Sequence, residues 1–122
     1  MTLELIDIGA NLAHDSFDDD RDEVLERASA AHVTKLIITG SSRASNLEAL
    51  ALAEARPGHL YSTAGVHPHH AADYAPEDDI LIRSLAGKDA CVAIGECGLD
   101  YYRNFSPRDA QLAAFRAQLA IA

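Results

Sequence analysis

Apolar runs of strand length alternate with helix-length stretches four times along this chain, and nothing interrupts the alternation. The runs are LELIDIG from Leu3 to Gly9, KLIITG from Lys35 to Gly40, LYSTAGV from Leu60 to Val66, and CVAIGEC from Cys91 to Cys97. Each is rich in β-branched or small residues and reads as a buried strand. Strand and helix in strict alternation favour an α/β fold, a parallel sheet with helices on its faces joined by right-handed crossovers.

The intervening stretches have helical spacing. DRDEVLERASAAH places Val24, Leu25 and Ala28 on one face, and SNLEALALAEA does the same with Leu47, Leu50 and Ala51. In PEDDILIRSLAG, Pro76 suits the first helical position, acids fill the first turn and Gly87 suits the stop. The fourth stretch starts on an S-x-x-D capping pattern, Ser106 to Asp109 with Pro107 inside it, and runs to Ala122 without a stop signal. Four βα units in 122 residues are about half of the roughly 250 residues and eight units of a closed barrel. The expectation is one domain over residues 1–122, the N-terminal half of a TIM (β/α)8 barrel, with a small open α/β sheet as competitor. The first and fourth strands would then be open edges, and a second copy or a further half would pair with them.

Charge narrows the partners. A formal net charge of −9 argues against broad electrostatic attachment to nucleic acid or an anionic membrane, which draws on clustered Lys and Arg. A polyanionic substrate would have to be held locally, and a metal ion would supply the positive charge. No apolar run approaches the roughly 18 residues of a membrane span, and MTLELIDIG carries acids where a secretory signal carries positive charge. A cytoplasmic protein without membrane contact is expected, with Cys91 and Cys97 as reduced structural thiols.

In parallel α/β folds functional groups gather at the C-terminal ends of the strands. Glu96 sits at the fourth of these ends, with Gly95 before it and Gly98 two residues beyond. It reads either as a metal ligand or general base, or as a carboxylate capping the next turn. At the third end, TAGVHPHH offers three histidines. Pro68 ends the strand there, leaving His67 at the mouth as a site candidate. His69 and His70 read as solvated loop residues, with His69 the nearer to a substrate contact. At the first end, Asp7 can ligate a metal or orient a backbone amide in the turn, and Asn11 is a neutral oxygen ligand at best. The run SFDDDRDE reads as solvated first-turn acids, and TGSSRASN with Arg43 suits phosphate or plain turn chemistry. After Glu96, LDYYRNF supplies Asp100, Tyr102 and Arg103. An aromatic beside an arginine can stack a base and hold a phosphate, or simply cover the rim.

Taken together, LIDIGANL, ITG, STAGVHPHH and VAIGECGLDYYRNFS resemble, in order and spacing, the successive strand-end motifs of the TatD family of metal-dependent deoxyribonucleases. The resemblance spans this whole chain and the N-terminal half of the family's usual length. It implies a TIM-barrel metallohydrolase that cleaves DNA phosphodiester bonds, often trimming from the 3′ end, with a divalent metal: Mg²⁺ first, Zn²⁺ or Mn²⁺ as alternatives. Glu96 matches the family's metal-binding carboxylate, and His67 the GVHPH histidine beside the substrate phosphate. Asp7 and Asn11 fall at supporting first-strand positions. Many relatives carry His-x-His where this chain has Gly9 and Asn11, and the family's remaining ligands, two histidines and an aspartate, come from later strands. Mg²⁺ wants six oxygen ligands, so one Glu and one His do not hold it tightly. The implied assignment is a TatD-like domain that stops after its fourth βα unit. The rival is a catalytically incomplete half-barrel acting by self-association or partner binding.

Overall fold

The computed structural model describes residues 3–122, and in it the alternation becomes four parallel strands and four helices. Strand β1 is Leu5–Ala10, β2 Val33–Ile38, β3 Leu60–Ala64 and β4 Cys91–Ile94. Helices α1 (Arg21–Ala30), α2 (Arg43–Ala55) and α3 (Pro76–Ala86) connect them, and α4 (Arg108–Ile121) follows β4. The strands lie side by side in chain order, every pair parallel. This is the successive winding of four βα units, half of a TIM barrel.

Two apolar clusters fill the space between sheet and helices. Leu25 of α1, Leu36 and Ile38 of β2, and Ala49 and Ala53 of α2 form one. Ala64, Val66, Leu50, and Ile82 and Leu85 of α3 form the other. Helix α3 starts as its sequence dictates: Pro76 occupies the first turn and the Asp78 carboxylate accepts from the Ala75 N–H at 2.9 Å. Gly87 ends it.

Three expectations fail, each for a physical reason. Strands β1 and β4 are not buried: Ile6, Ile8 and Val92 are 55%, 78% and 49% exposed. Both are edge strands, and burial of an edge depends on what lies beyond it. On α2 the buried face is Asn46, Ala49, Leu50 and Ala53, while Leu47 and Ala51 face outward. Ala and Leu occur all round this helix, so apolar spacing alone does not select a face. Ser106 does not cap α4: its hydroxyl donates to the His69 carbonyl at 3.0 Å and accepts from the Ala72 N–H at 3.0 Å. The cap position falls to Pro107, without a side-chain hydrogen bond.

Candidate active site

The C-terminal ends of all four strands open into one cavity of about 390 Å³. Gly9 and Asn11 line it from β1, Thr39 and Ser41 from β2, the His67–His70 segment from β3, and Glu96 from β4. The sequence-predicted Glu96, His67, His69 and Asn11 are thus brought together. Asp7 is not among the lining residues; its Oδ1 accepts from the Gly9 N–H at 3.0 Å, the turn role left open for it. Tyr102 stands 96% exposed. Arg103 folds back onto Asp100, donating through its backbone N–H at 3.0 Å and its guanidinium at 3.3 Å.

His67 is fixed on every side but one. Its N–H donates to the Ser41 carbonyl at 2.8 Å, and its carbonyl accepts from the His70 N–H at 2.9 Å. Its ring Nδ1 accepts from the His69 N–H at 3.0 Å, capping the 3₁₀ turn Pro68–Asp73. A nitrogen that accepts carries no proton, so the neutral ring bears its hydrogen on Nε2. That atom lies 3.6 Å from Glu96 Oε1. Burial pushes the imidazole below its ordinary 6.5, while nearby Glu96 pulls the other way. Near neutral pH and above, His67 therefore presents an Nε2–H donor to the cavity.

Glu96 owes its place to two glycines. A Cβ on Gly65 would collide with the Gly95 backbone, so β3 and the end of β4 touch main chain to main chain. Gly95 itself adopts φ +155, open to glycine and rarely to other residues. The cis peptide Gly95–Glu96 follows, and the Glu96 N–H donates to the Gly40 carbonyl at 2.6 Å. The side chain is 54% exposed. Among the described residues its carboxylate accepts no hydrogen bond, which sets aside the alternative role as a turn cap.

A second pair stands behind this one. His69 Nε2–H donates to Asp100 Oδ2 at 2.9 Å, and its ring packs edge-on against His67 at 4.2 Å and Phe105 at 4.6 Å. The Arg103 N–H and the His69 ring hold the Asp100 carboxyl below its usual range. His69, expected in solvated loop, is half-buried and paired. Gln111, which sequence reasoning passed over, accepts from the Asp100 N–H at 2.7 Å and donates to the Ser106 carbonyl at 2.8 Å. It ties the Asp100 loop to the segment beneath His69. Arg43 is turned away from the cavity and pairs with Asp78 at 3.0 Å.

None of the lining residues is Lys or Arg, and Glu96 is the one acid among them. A polyanion meets no fixed positive charge there, so binding one calls for a cation. Glu96, exposed and free of hydrogen bonds, fits as one oxygen ligand, with the neutral Asn11 across the cavity. Among the described residues no group of three or more His, Cys, Asp or Glu surrounds one ion position.

Four parallel βα units with polar groups gathered at one end of the sheet define a barrel-type α/β architecture, here one half of it. The family model for TatD related DNase matches residues 6–122, and the chain belongs to the TatD family. It is 48% identical over 118 residues to a 3′-5′ ssDNA/RNA exonuclease TatD of Erwinia tasmaniensis, covering 97% of this chain and 46% of the relative. The figures for the Pantoea vagans protein of the same name are 50%, 97% and 45%. Among solved structures, a TatD family hydrolase from Entamoeba histolytica superposes with a TM-score of 0.85 at 31% identity, covering 99% of this chain and 46% of that one. A TatD homologue from Escherichia coli K12 gives 0.86 at 27% identity, covering 97% and 46%. The chain spans about half the length of the relatives it matches. Among the described residues no helix is long and apolar enough to cross a membrane.

Proposed function

We propose that the protein carrying this chain is a cytoplasmic, metal-dependent nuclease that hydrolyses phosphodiester bonds of single-stranded DNA from the 3′ end. The observation that carries this reading is the pairing of an unbonded carboxylate, Glu96, with the Nε2–H of a locked, neutral His67 at 3.6 Å across a cavity without Lys or Arg. The names of the matched relatives support the substrate and extend it to RNA. A divalent cation held at Glu96, Mg²⁺ by its preference for oxygen ligands, would supply Lewis-acid polarisation of the phosphate. His67 donates its Nε2 hydrogen to a phosphate oxygen and stabilises the charge that grows there as the bond breaks. His69 and Asp100 keep the His67 ring edge in place. The exposed Tyr102 ring, on the loop after Glu96, is available to stack a base of the substrate strand.

The exposed apolar edges at β1 and β4 support packing against further barrel strands, or against a second copy where those are absent. The nuclease reading is tested on a 3′-labelled single-stranded oligonucleotide with Mg²⁺. Hydrolysis that stops with EDTA and falls at least about 100-fold in Glu96→Gln is expected; turnover indifferent to both chelator and substitution would contradict it.

A further inference from the structure

Two buried carboxamides remain unused by the chemistry above. Asn46 of α2 and Gln118 of α4 are each 1% exposed, and both reach the two residues that precede His67. The Gly65 N–H donates to Asn46 Oδ1 at 3.0 Å while Asn46 Nδ2 donates to the Gly65 carbonyl at 2.9 Å. The Val66 N–H donates to Gln118 Oε1 at 2.7 Å while Gln118 Nε2 donates to the Val66 carbonyl at 3.2 Å.

This is strand pairing continued by side chains. Residue pairing between β3 and its neighbours ends at Ser62 with Ile38 on one side and at Ala64 with Ile94 on the other. The chain runs on, buried, through Gly65 and Val66. Buried backbone groups without partners are costly, and in extended chain successive residues turn their N–H and C=O to opposite sides. One substitute partner is therefore needed on each side. A carboxamide has the donor and acceptor of a peptide group, and one helix on either flank delivers one. The Asn46 position is tight: a Cβ on Gly40 would overlap its oxygen.

We propose that Asn46 and Gln118 are positioning residues that clamp Gly65 and Val66 from opposite sides and so fix where the His67 Nε2–H points. With the clamp in place, every backbone donor from Gly65 to His67 has a partner, ending at His67 N–H to the Ser41 carbonyl. The catalytic meaning of the clamp rests on the nuclease reading; the clamp itself does not.

The test uses the whole protein carrying this chain, with Asn46→Leu and Gln118→Met as variants and Leu25→Ala, in the apolar cluster under α1, as a control for lost stability. Three quantities are read: amide exchange at Gly65 and Val66, the ring ¹⁵N shifts of selectively labelled His67 at pH 8, and kcat and KM on the oligonucleotide. Gln118→Met should speed Val66 exchange about 5- to 100-fold relative to Leu36, the range set by leaving the buried Val66 N–H without its acceptor. It should move His67 from a single Nε2–H tautomer to a mixture. It should also lower kcat about 10- to 100-fold with little change in KM, as a misplaced group does. Leu25→Ala should leave the ring shifts unmoved. If Gln118→Met does not fold, Gln118→Glu, which keeps the acceptor for the Val66 N–H and loses the donor to its carbonyl, is read on the His67 shifts and on kcat. Unchanged His67 shifts in the folded variants overturn the proposal, leaving a structural staple only. A parent protein that degrades no oligonucleotide, with the His67 shifts responding as described, overturns the nuclease reading and leaves the clamp standing.

Discussion

His67→Asn separates the chemistry of the imidazole from its architecture. An asparagine Oδ1 stands close to where the imidazole Nδ1 stands, so it can keep accepting from the His69 N–H, now 3.0 Å from the ring. The backbone bonds to Ser41 and His70 are untouched. What disappears is the ring edge bearing Nε2, the atom 3.6 Å from Glu96, together with the edge-on packing against His69 at 4.2 Å. Losing that packing costs about 1 kcal/mol of stability, typical of an aromatic pair. Losing a preorganised donor to developing charge lowers kcat about 100- to 1,000-fold, with KM nearly unchanged. The assay is nucleotide release from a 3′-labelled single-stranded oligonucleotide at pH 8, where the parent ring is neutral, beside a urea titration of both proteins. A kcat within about threefold of the parent would refute the donor role. A stability loss well above about 1 kcal/mol would refute the argument that Asn preserves the turn.

Asp100 carries an acid-side signature. Its carboxyl is held below the ordinary 3.8 by the Arg103 N–H and the His69 ring, so between the two values the unfolded chain binds more protons and stability rises with pH. The contribution is present above 3.8 and is lost as pH falls through the folded value; Asp100→Asn should flatten that part of a thermal-unfolding profile, and an unchanged acid limb would count against the pairing. Gly65→Ala places a methyl against the Gly95 backbone and should cost about 3 kcal/mol in the urea midpoint, at the upper end of overpacking. Gly87→Ala meets only the Ser84 carbonyl, at 3.6 Å, and should change stability by less than about 1 kcal/mol; equal losses in the two variants would remove the contact as the cause.

Local signals predicted the elements well where one physical effect dominated. Val24, Leu25 and Ala28 mark the inward face of α1, and Pro76 with its acids marks the start of α3, because spacing and capping act within one element. The strand-end rule brought Glu96 and His67 together without any contact being visible in the sequence. Signals failed where the deciding partner was remote. Ser106 looks like a helix cap until His69 and Ala72, more than thirty residues earlier, claim its hydroxyl. Asn46, Gln111 and Gln118 look like solvent-facing helix residues, yet each serves a backbone group outside its own helix. His69 looked solvated because its partner Asp100 sits beyond β4.

The exposed edges and the open site have one origin. His67 comes from β3, inside the sheet with a neighbour on each side, and its surroundings are locked. Glu96 and Asn11 come from the ends of β4 and β1, the two edges, and both remain exposed, as do Leu5, Ile6, Ile8 and Val92 along the same strands. Apolar surface on an edge strand is stabilised when something covers it, by about 25 cal/mol per Å² removed from water. An element covering both β1 and β4 would also wall the cavity between their C-terminal ends. Covering it would exclude water and lower the local dielectric, which on the proposed nuclease reading would strengthen the hold of the Glu96 carboxylate on a cation and of the His67 Nε2–H on a phosphate oxygen. On that reading the hydrophobic gain of closing the sheet and the electrostatic gain of closing the site would be coupled, while the half of the site built around β3 is locked by its own hydrogen bonds.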